Sequence, residues 1–310
     1  MQVFVYVLLL ALQLTGCGEQ HLAYITNQGD NTVSVINTRS HQIQATIKVG
    51  KAPVGVAVSR QLQRAFISNV ENNSISVINT QNQQVVDTIL LKGSPVGLAI
   101  APNSQTLYVA DWFSDRIIAI NTANYHDQRE VIVAKAPAGL VVSADSQTLY
   151  VAARDSDEVV SIKTADLSLL GRQKVGKHPF GLSINGTQLY AVNVYDNTVS
   201  IINTKNGTQK RLKVGEHPYC AVASATHLYI TNTQDDTVTI IDLSTDKTIA
   251  TVEVGMTPEG LSMDAANNQV LVANWGTNNV SVINMATHQV SHTIKTGDKS
   301  RAFGQFILAQ

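Results

Sequence analysis

Tyr24-Ile25-Thr26-Asn27 decides the fold, because this pattern returns six more times along the chain. Its copies are Phe66-Ile67-Ser68-Asn69, Tyr108-Val109-Ala110-Asp111, Tyr150-Val151-Ala152-Ala153, Tyr190-Ala191-Val192-Asn193, Tyr229-Ile230-Thr231-Asn232 and Leu271-Val272-Ala273-Asn274. Successive copies lie 42, 42, 42, 40, 39 and 42 residues apart. A steady period of that length means a chain built from one supersecondary unit. The first unit holds four strand candidates separated by turn residues. Residues 22–27 lead into a polar turn, and in residues 32–37 Val33 and Val35 alternate with Thr and Ser. That alternation marks a half-buried strand. Residues 42–49 are rich in β-branched side chains, and an apolar run, Val56-Ala57-Val58, follows Gly50-Lys51-Ala52-Pro53-Val54-Gly55. No segment shows a 3.6-residue period. Four strands per repeat of about 42 residues make a propeller blade. The expected fold is therefore all-β, a seven-bladed β-propeller with four-stranded blades, its repeats starting near residues 22, 64, 106, 148, 188, 227 and 269.

Proline placement gives the same register. Pro53, Pro95, Pro137, Pro179, Pro218 and Pro258 share one repeat position, just before the apolar strand. Proline lacks the ladder N–H, so it starts a strand but does not sit in its middle. Glycine follows two residues later in five copies, where a small residue lets inner strands crowd near an axis, and Cys220 replaces it in one. The seventh copy reads Ser300-Arg301-Ala302, without the proline. The repeats begin at a second strand, while residues 301–308 match a first strand. The C-terminal strand is thus expected to join the N-terminal blade and leave no open edge.

The Tyr-Val-Thr-Asn-like core, the x-Pro-x-Gly element and the strand Val33-Ser34-Val35-Ile36-Asn37-Thr38 resemble the YVTN β-propeller repeat family. The ending Arg301-Ala302-Phe303-Gly304-Gln305-Phe306-Ile307 is similar to that family's closing segment. The resemblance covers residues 21–310 and implies a surface or periplasmic protein. It implies no particular activity, because one fold hosts many functions.

The N-terminus has its own logic. Val3 to Leu12 are all apolar, the length of a signal-peptide core and too short to span a bilayer. Leu14-Thr15-Gly16-Cys17 follows and resembles the lipobox of bacterial lipoproteins, so residues 1–16 read as a signal peptide and Cys17 as a lipidated first residue of a domain over 17–310. Met1-Gln2 carries no Lys or Arg, a departure from that pattern, and an ordinary secretory signal cleaved nearby is the plainer alternative. Gly18 rather than Asp after the cysteine points to the outer membrane where the cell has one. Cys220 then has no partner, which excludes a disulfide framework. Charge is nearly balanced, with 22 Lys+Arg against 23 Asp+Glu and no basic run. Nucleic acid is therefore not expected as a partner, because a phosphate backbone demands clustered cations.

In a propeller the loop leading into each first strand and the loop between second and third strands share one face. The residue after each proline, or its equivalent, should approach the axis there: Val54, Val96, Ala138, Phe180, Tyr219, Glu259 and Arg301. The last four are large or charged and lie on neighbouring blades, and His178 and His217 precede two of the prolines. The set His178, Phe180, His217, Tyr219, Glu259 and Arg301 is one candidate binding site for a polar ligand or a partner's side chain. The other reading of the same residues pairs Glu259 with Arg301 and lets the rings fill space. The second-to-third-strand loops add Trp112, Phe113, Arg154, Tyr195 and Trp275, residue types common at interaction hot spots.

Enzyme signatures are thin. No His-Glu-x-x-His, Gly-x-Ser-x-Gly or Cys-x-x-Cys-His element occurs. His178, His217 and Glu259 are the only suggested metal set, and Cys220 beside His217 the only suggested nucleophile. Asn31, Asn73, Asn197 and Asn278, with aspartates at matching positions, read as turn residues rather than calcium ligands. The expectation is a non-catalytic, extracytoplasmic, lipid-anchored propeller that binds a protein partner or small ligand on its loop face, with no cofactor or metal. A periplasmic hydrolase or lactonase-like enzyme, or an accessory subunit of a periplasmic redox or metal-handling system, are the alternatives.

Overall fold

Proline, glycine and asparagine together set where each strand starts and how closely blades approach. The computed structural model describes residues 21–308, so Cys17 and the signal segment lie outside the described residues. In them seven four-stranded antiparallel sheets stand in a ring. Blade 1 runs from axis to rim through Pro53–Ser59, Arg64–Asn69, Ser74–Asn79 and Gln84–Leu90. The inner strands of blades 2 to 6 begin at Pro95, Pro137, Pro179, Pro218 and Pro258. Blade 7 combines Leu22–Asn27, Thr32–Asn37 and Gln42–Lys48 with the C-terminal Ile307–Leu308, paired through Leu22 with Leu308 and Ala23 with Ile307. Closure thus joins the two ends of the described chain.

The closing strand is less regular than residues 301–308 suggest. Arg301 N–H donates to Thr26 O at 2.8 Å and Tyr24 N–H to Phe306 O at 2.9 Å, but the chain between leaves blade 7. There Phe303 N–H donates to Val54 O at 3.1 Å and Val56 N–H to Phe303 O at 2.8 Å, so the segment leans onto the neighbouring blade 1. Gly304, at φ +109°, makes the bend, and a Cβ on it would lie 2.5 Å from Val56 O. Only glycine meets both conditions.

Packing follows the repeat. Tyr24, Phe66, Tyr108, Tyr190 and Tyr229, which open the repeated pattern, are at most 2% exposed. Each such side chain stabilises by roughly 1.5–3 kcal/mol through burial. Toward the axis the inner strands nearly touch. A Cβ on Gly97 would lie 2.0 Å from Ala138 O, and one on Gly139 would lie 2.2 Å from Phe180 O.

The asparagine ending the pattern is buried, and in blades 4 and 7 it works in both directions. Asn193 Nδ2 donates to Thr198 Oγ1 at 3.0 Å and Ser200 Oγ at 2.9 Å, and its Oδ1 accepts from Gly176 N at 3.1 Å. A Cβ on Gly176 would lie 2.6 Å from Asn193 Cγ. In blade 3 Ala153 replaces the asparagine and Ala134 the glycine. Gly176→Ala alone is therefore expected to destabilise by about 1–3 kcal/mol through overpacking. Asn193→Ala alone should cost about 1–3 kcal/mol by stranding its partners. The double variant, which copies blade 3, should cost clearly less than the sum in urea unfolding; strict additivity would refute the pairing.

Candidate functional site

Lead-in loops and second-to-third-strand loops meet on one face through backbone hydrogen bonds. Val194 N–H donates to His178 O at 3.1 Å, Arg154 N–H to Ala136 O at 3.2 Å and Trp275 N–H to Thr257 O at 3.0 Å. At five of the six repeat prolines, all but Pro95, the preceding residue is held in the left-handed region, at φ 58° for His178 and 49° for His217. Its N–H is taken by an Asx side chain of the preceding blade: His178 by Asp157 at 2.8 Å, His217 by Asn197 at 3.0 Å and Ala52 by Asn31 at 2.9 Å. Asn31, Asn73, Asn197 and Asn278 are indeed turn residues with positive φ, and they also fasten one blade to the next.

All eleven nominated residues form one connected set in two tiers. The inner tier lies at the axis. Phe180 and Tyr219 rings are 4.1 Å apart, and Phe303 adds a third ring 4.8 Å from Phe180. Arg301 donates from Nε to Glu259 Oε2, from Nη2 to Tyr219 OH at 2.8 Å and from Nη1 to Gln28 Oε1 at 3.5 Å. Burial pushes the Glu259 carboxyl up from the usual carboxylate range, with the Arg301 guanidinium pulling the other way. Burial also raises the Tyr219 hydroxyl, again opposed by Arg301. Arg301 and Glu259 thus satisfy each other, as the space-filling reading has it, and offer little to a ligand.

The outer tier surrounds this plug. Trp112 opens a 3₁₀ turn, Trp112–Ser114, and its ring lies 5.7 Å from Phe180 and 6.3 Å from Phe113. The Arg154 guanidinium stacks 3.6 Å over Trp112 while Nε donates to Asp155 Oδ1 at 2.8 Å. His178 stacks on Tyr195 at 4.0 Å, with Nδ1 3.6 Å from Asp155 and His217 5.8 Å beyond Tyr195. Trp275 Nε1 donates to Gln28 Oε1 at 3.2 Å, which ties it to Arg301. Aromatic pairs of this kind contribute about 0.5–1.5 kcal/mol each. Phe113 and Tyr195 nevertheless remain 76% and 61% exposed.

Chemistry is sparse here. The suggested metal trio is not gathered, since Glu259 is spent on Arg301 while the histidines flank Tyr195. Among the described residues no three metal-ligating side chains converge. Burial pushes the Cys220 thiol up, and a nucleophile needs the thiolate. The axial cavity, about 360 Å³, lies beyond Phe303, which lines its end, and is walled by inner-strand residues such as Leu98, Leu140 and Leu182. Phe303 and Gln28 are the participants sequence reasoning missed. Gly304 was the signal for Phe303, whereas nothing local marks Gln28.

Two consequences are measurable. Arg301→Met strands a buried carboxylate and should cost about 3–5 kcal/mol. Arg301→Met/Glu259→Leu should cost less than that single change in urea unfolding. Burial first, then Arg154, lowers the His178 imidazole below the ordinary histidine range, with Asp155 opposing. Because the folded state favours neutral His178, its contribution to stability is present above the unfolded histidine value and is lost as pH falls from there through the lower folded one. Proton NMR titration should find Arg154→Gln moving its midpoint up and Asp155→Asn moving it down.

The fold has close counterparts. A family model described as YNCE-like beta-propeller matches residues 23–308. Hydrazine synthase from Kuenenia stuttgartiensis is similar, with a TM-score of 0.77 at 22% identity over 86% of this chain and 93% of that one. A functionally unknown protein from Desulfotomaculum acetoxidans gives 0.77 at 14% identity over 91% and 99%. Virginiamycin B lyase from Staphylococcus aureus gives 0.66 at 16% over 74% and 80%. No curated protein sequence matches the chain. At these identities the likeness speaks to fold alone.

Proposed function

The chain belongs to the YNCE-like β-propeller family, and from that premise we propose that it is a non-catalytic, lipid-anchored extracytoplasmic protein that binds a protein partner on its loop face. The observation that carries this reading is the exposure of Phe113 and Tyr195 on top of a tier whose own polar groups are satisfied. Large rings held out by packed neighbours bring contact area at little conformational cost, as hot-spot residues do. A reacting centre, by contrast, needs unspent acids, bases or nucleophiles, and here Glu259, Arg301 and Cys220 are paired or neutral.

The anchor is compatible with this arrangement. His21 stands at the end of strand Leu22–Asn27 remote from the loop face, and Cys17 precedes it by four residues. Four residues reach at most about 14 Å. A lipid on Cys17 would hold the opposite face to the membrane and turn the aromatic loops away from it. Each buried methylene adds about 0.8 kcal/mol, so several acyl chains suffice to anchor the domain.

The deciding experiment is a pull-down from detergent-solubilised membranes. Wild type should retain a partner that Phe113→Ser/Tyr195→Ser loses, with both proteins equally stable. Equal capture by the two proteins, or none by either, would remove the partner reading. Labelled palmitate should enter wild type and not Cys17→Ser, and the latter should leave the membrane fraction.

A further inference from the structure

We propose that the partner docks over blades 1 to 4 and presents an acidic polypeptide segment that carries apolar side chains; this rests on the loop-face reading and specifies its chemistry. The four most exposed large apolar side chains among the described residues are Phe113 (76%), Leu90 (74%), Ile132 (70%) and Tyr195 (61%). All four belong to this sector. Leu90 and Ile132 end the outer strands of blades 1 and 2 where these run into the lead-in loops, and Phe113 and Tyr195 sit on the neighbouring second-to-third-strand loops.

Cations interleave with them. One backbone position recurs in the lead-in loops, its carbonyl accepting from the adjoining loop: Lys51 from Glu71, Lys135 from Asp155 and Lys177 from Tyr195. In blade 2 the lysine stands one residue earlier, at Lys92. All four are exposed, and none of their ammonium groups makes a salt bridge among the described residues. The acids nearby are mostly engaged elsewhere: Asp155 with Arg154, Glu130 with Arg116, Glu158 with Arg172, and Asp196 with the Lys177 N–H. Glu71 remains as an exposed counter-charge. Past blade 4 the row changes sign, since Glu216, Met256 and Asp298 take the same backbone position. A ligand of uniform negative charge over the whole face would meet repulsion on that side, whereas a segment confined to blades 1 to 4 would not.

Lysines beside exposed apolar groups also suit an anionic lipid surface. A polypeptide is favoured because the proposed anchor on Cys17 would hold the opposite face to the membrane and turn these lysines away from it.

The test uses the purified full chain with a fluorescein-labelled glutamate–tyrosine copolymer, the matching lysine–tyrosine copolymer, and phosphatidylglycerol vesicles. Glutamate–tyrosine polymer should bind saturably and lose at least tenfold in affinity in Lys51→Glu/Lys92→Glu/Lys135→Glu/Lys177→Glu, with less loss at high salt because the exposed charges are screened. Glu216→Lys/Asp298→Lys should bind it no more weakly than wild type, and lysine–tyrosine polymer should not bind. Unchanged affinity in the four-lysine variant, or vesicles bound more tightly than the polymer, overturns the inference. The two readings separate in the pull-down. A partner lost by Phe113→Ser/Tyr195→Ser but kept by the four-lysine variant ends this inference and leaves the loop-face reading standing.

Discussion

The buried asparagine at the end of the second strand is the interaction on which the rest of the ring depends. Asn27, Asn69, Asn193, Asn232 and Asn274 are all fully buried, and each donates to side-chain oxygens five and seven residues on. This ties the second strand to the third at the end nearest the loop face. The same side chains press on Gly297, Gly50, Gly176, Gly215 and Gly255, where a Cβ would come within 2.7 Å. The lead-in loop can therefore pass close over the blade only where glycine lies under it. A buried amide left unpaired costs about 1–3 kcal/mol, so asparagine, glycine and the two hydroxyl or amide partners stand or fall together.

The seven repeats act as controls on one another. In blade 2 Asp111 takes the asparagine's place, pairs with Arg116 and has Gly93 against it, one residue later than usual. In blade 3 Ala153 and Ala134 take the two places, and the position five residues on becomes Glu158, paired with Arg172. The partners change with the central residue, as they must if the contact is what the sequence preserves. A second set of ties, from Asx side chains to the residue before each proline, fixes the next blade against the last. Together they hold the loop backbones in nearly equivalent positions around the axis, and this frees the side chains on those loops to differ.

Much of this was legible in the residues. Blade number, strand count and register follow from a repeat with a proline and an asparagine at fixed places, because those residues answer to local backbone requirements. The candidate residues were also placed on one face, since that needs only strand direction. What escaped was long-range geometry. The lean of Phe303 and Gly304 onto blade 1 depends on where the free edge of Pro53–Ser59 lies, which no local pattern encodes. The link from Trp275 through Gln28 to Arg301 joins residues 247 and 273 positions apart in sequence. The spending of Arg301 on Glu259 was one of two readings of the same side chains, and only the folded arrangement separates them.

The asymmetry of the loop face gains meaning from the symmetry beneath it. Equivalent backbone positions hold Lys51, Lys135 and Lys177 on one side and Glu216, Met256 and Asp298 on the other. Folding does not require this division, because a solvent-exposed position of that kind contributes little to stability whichever charge it carries. Nor does the axial plug require Phe113 or Tyr195 to be aromatic, since both project beyond it. Near the axis, by contrast, Phe180, Tyr219, Glu259 and Arg301 break the symmetry and are consumed in filling and closing the ring. Departures from the repeat thus divide into two kinds. Those at the axis are explained by contacts within the molecule, and those on the outer tier are left for something outside it to explain.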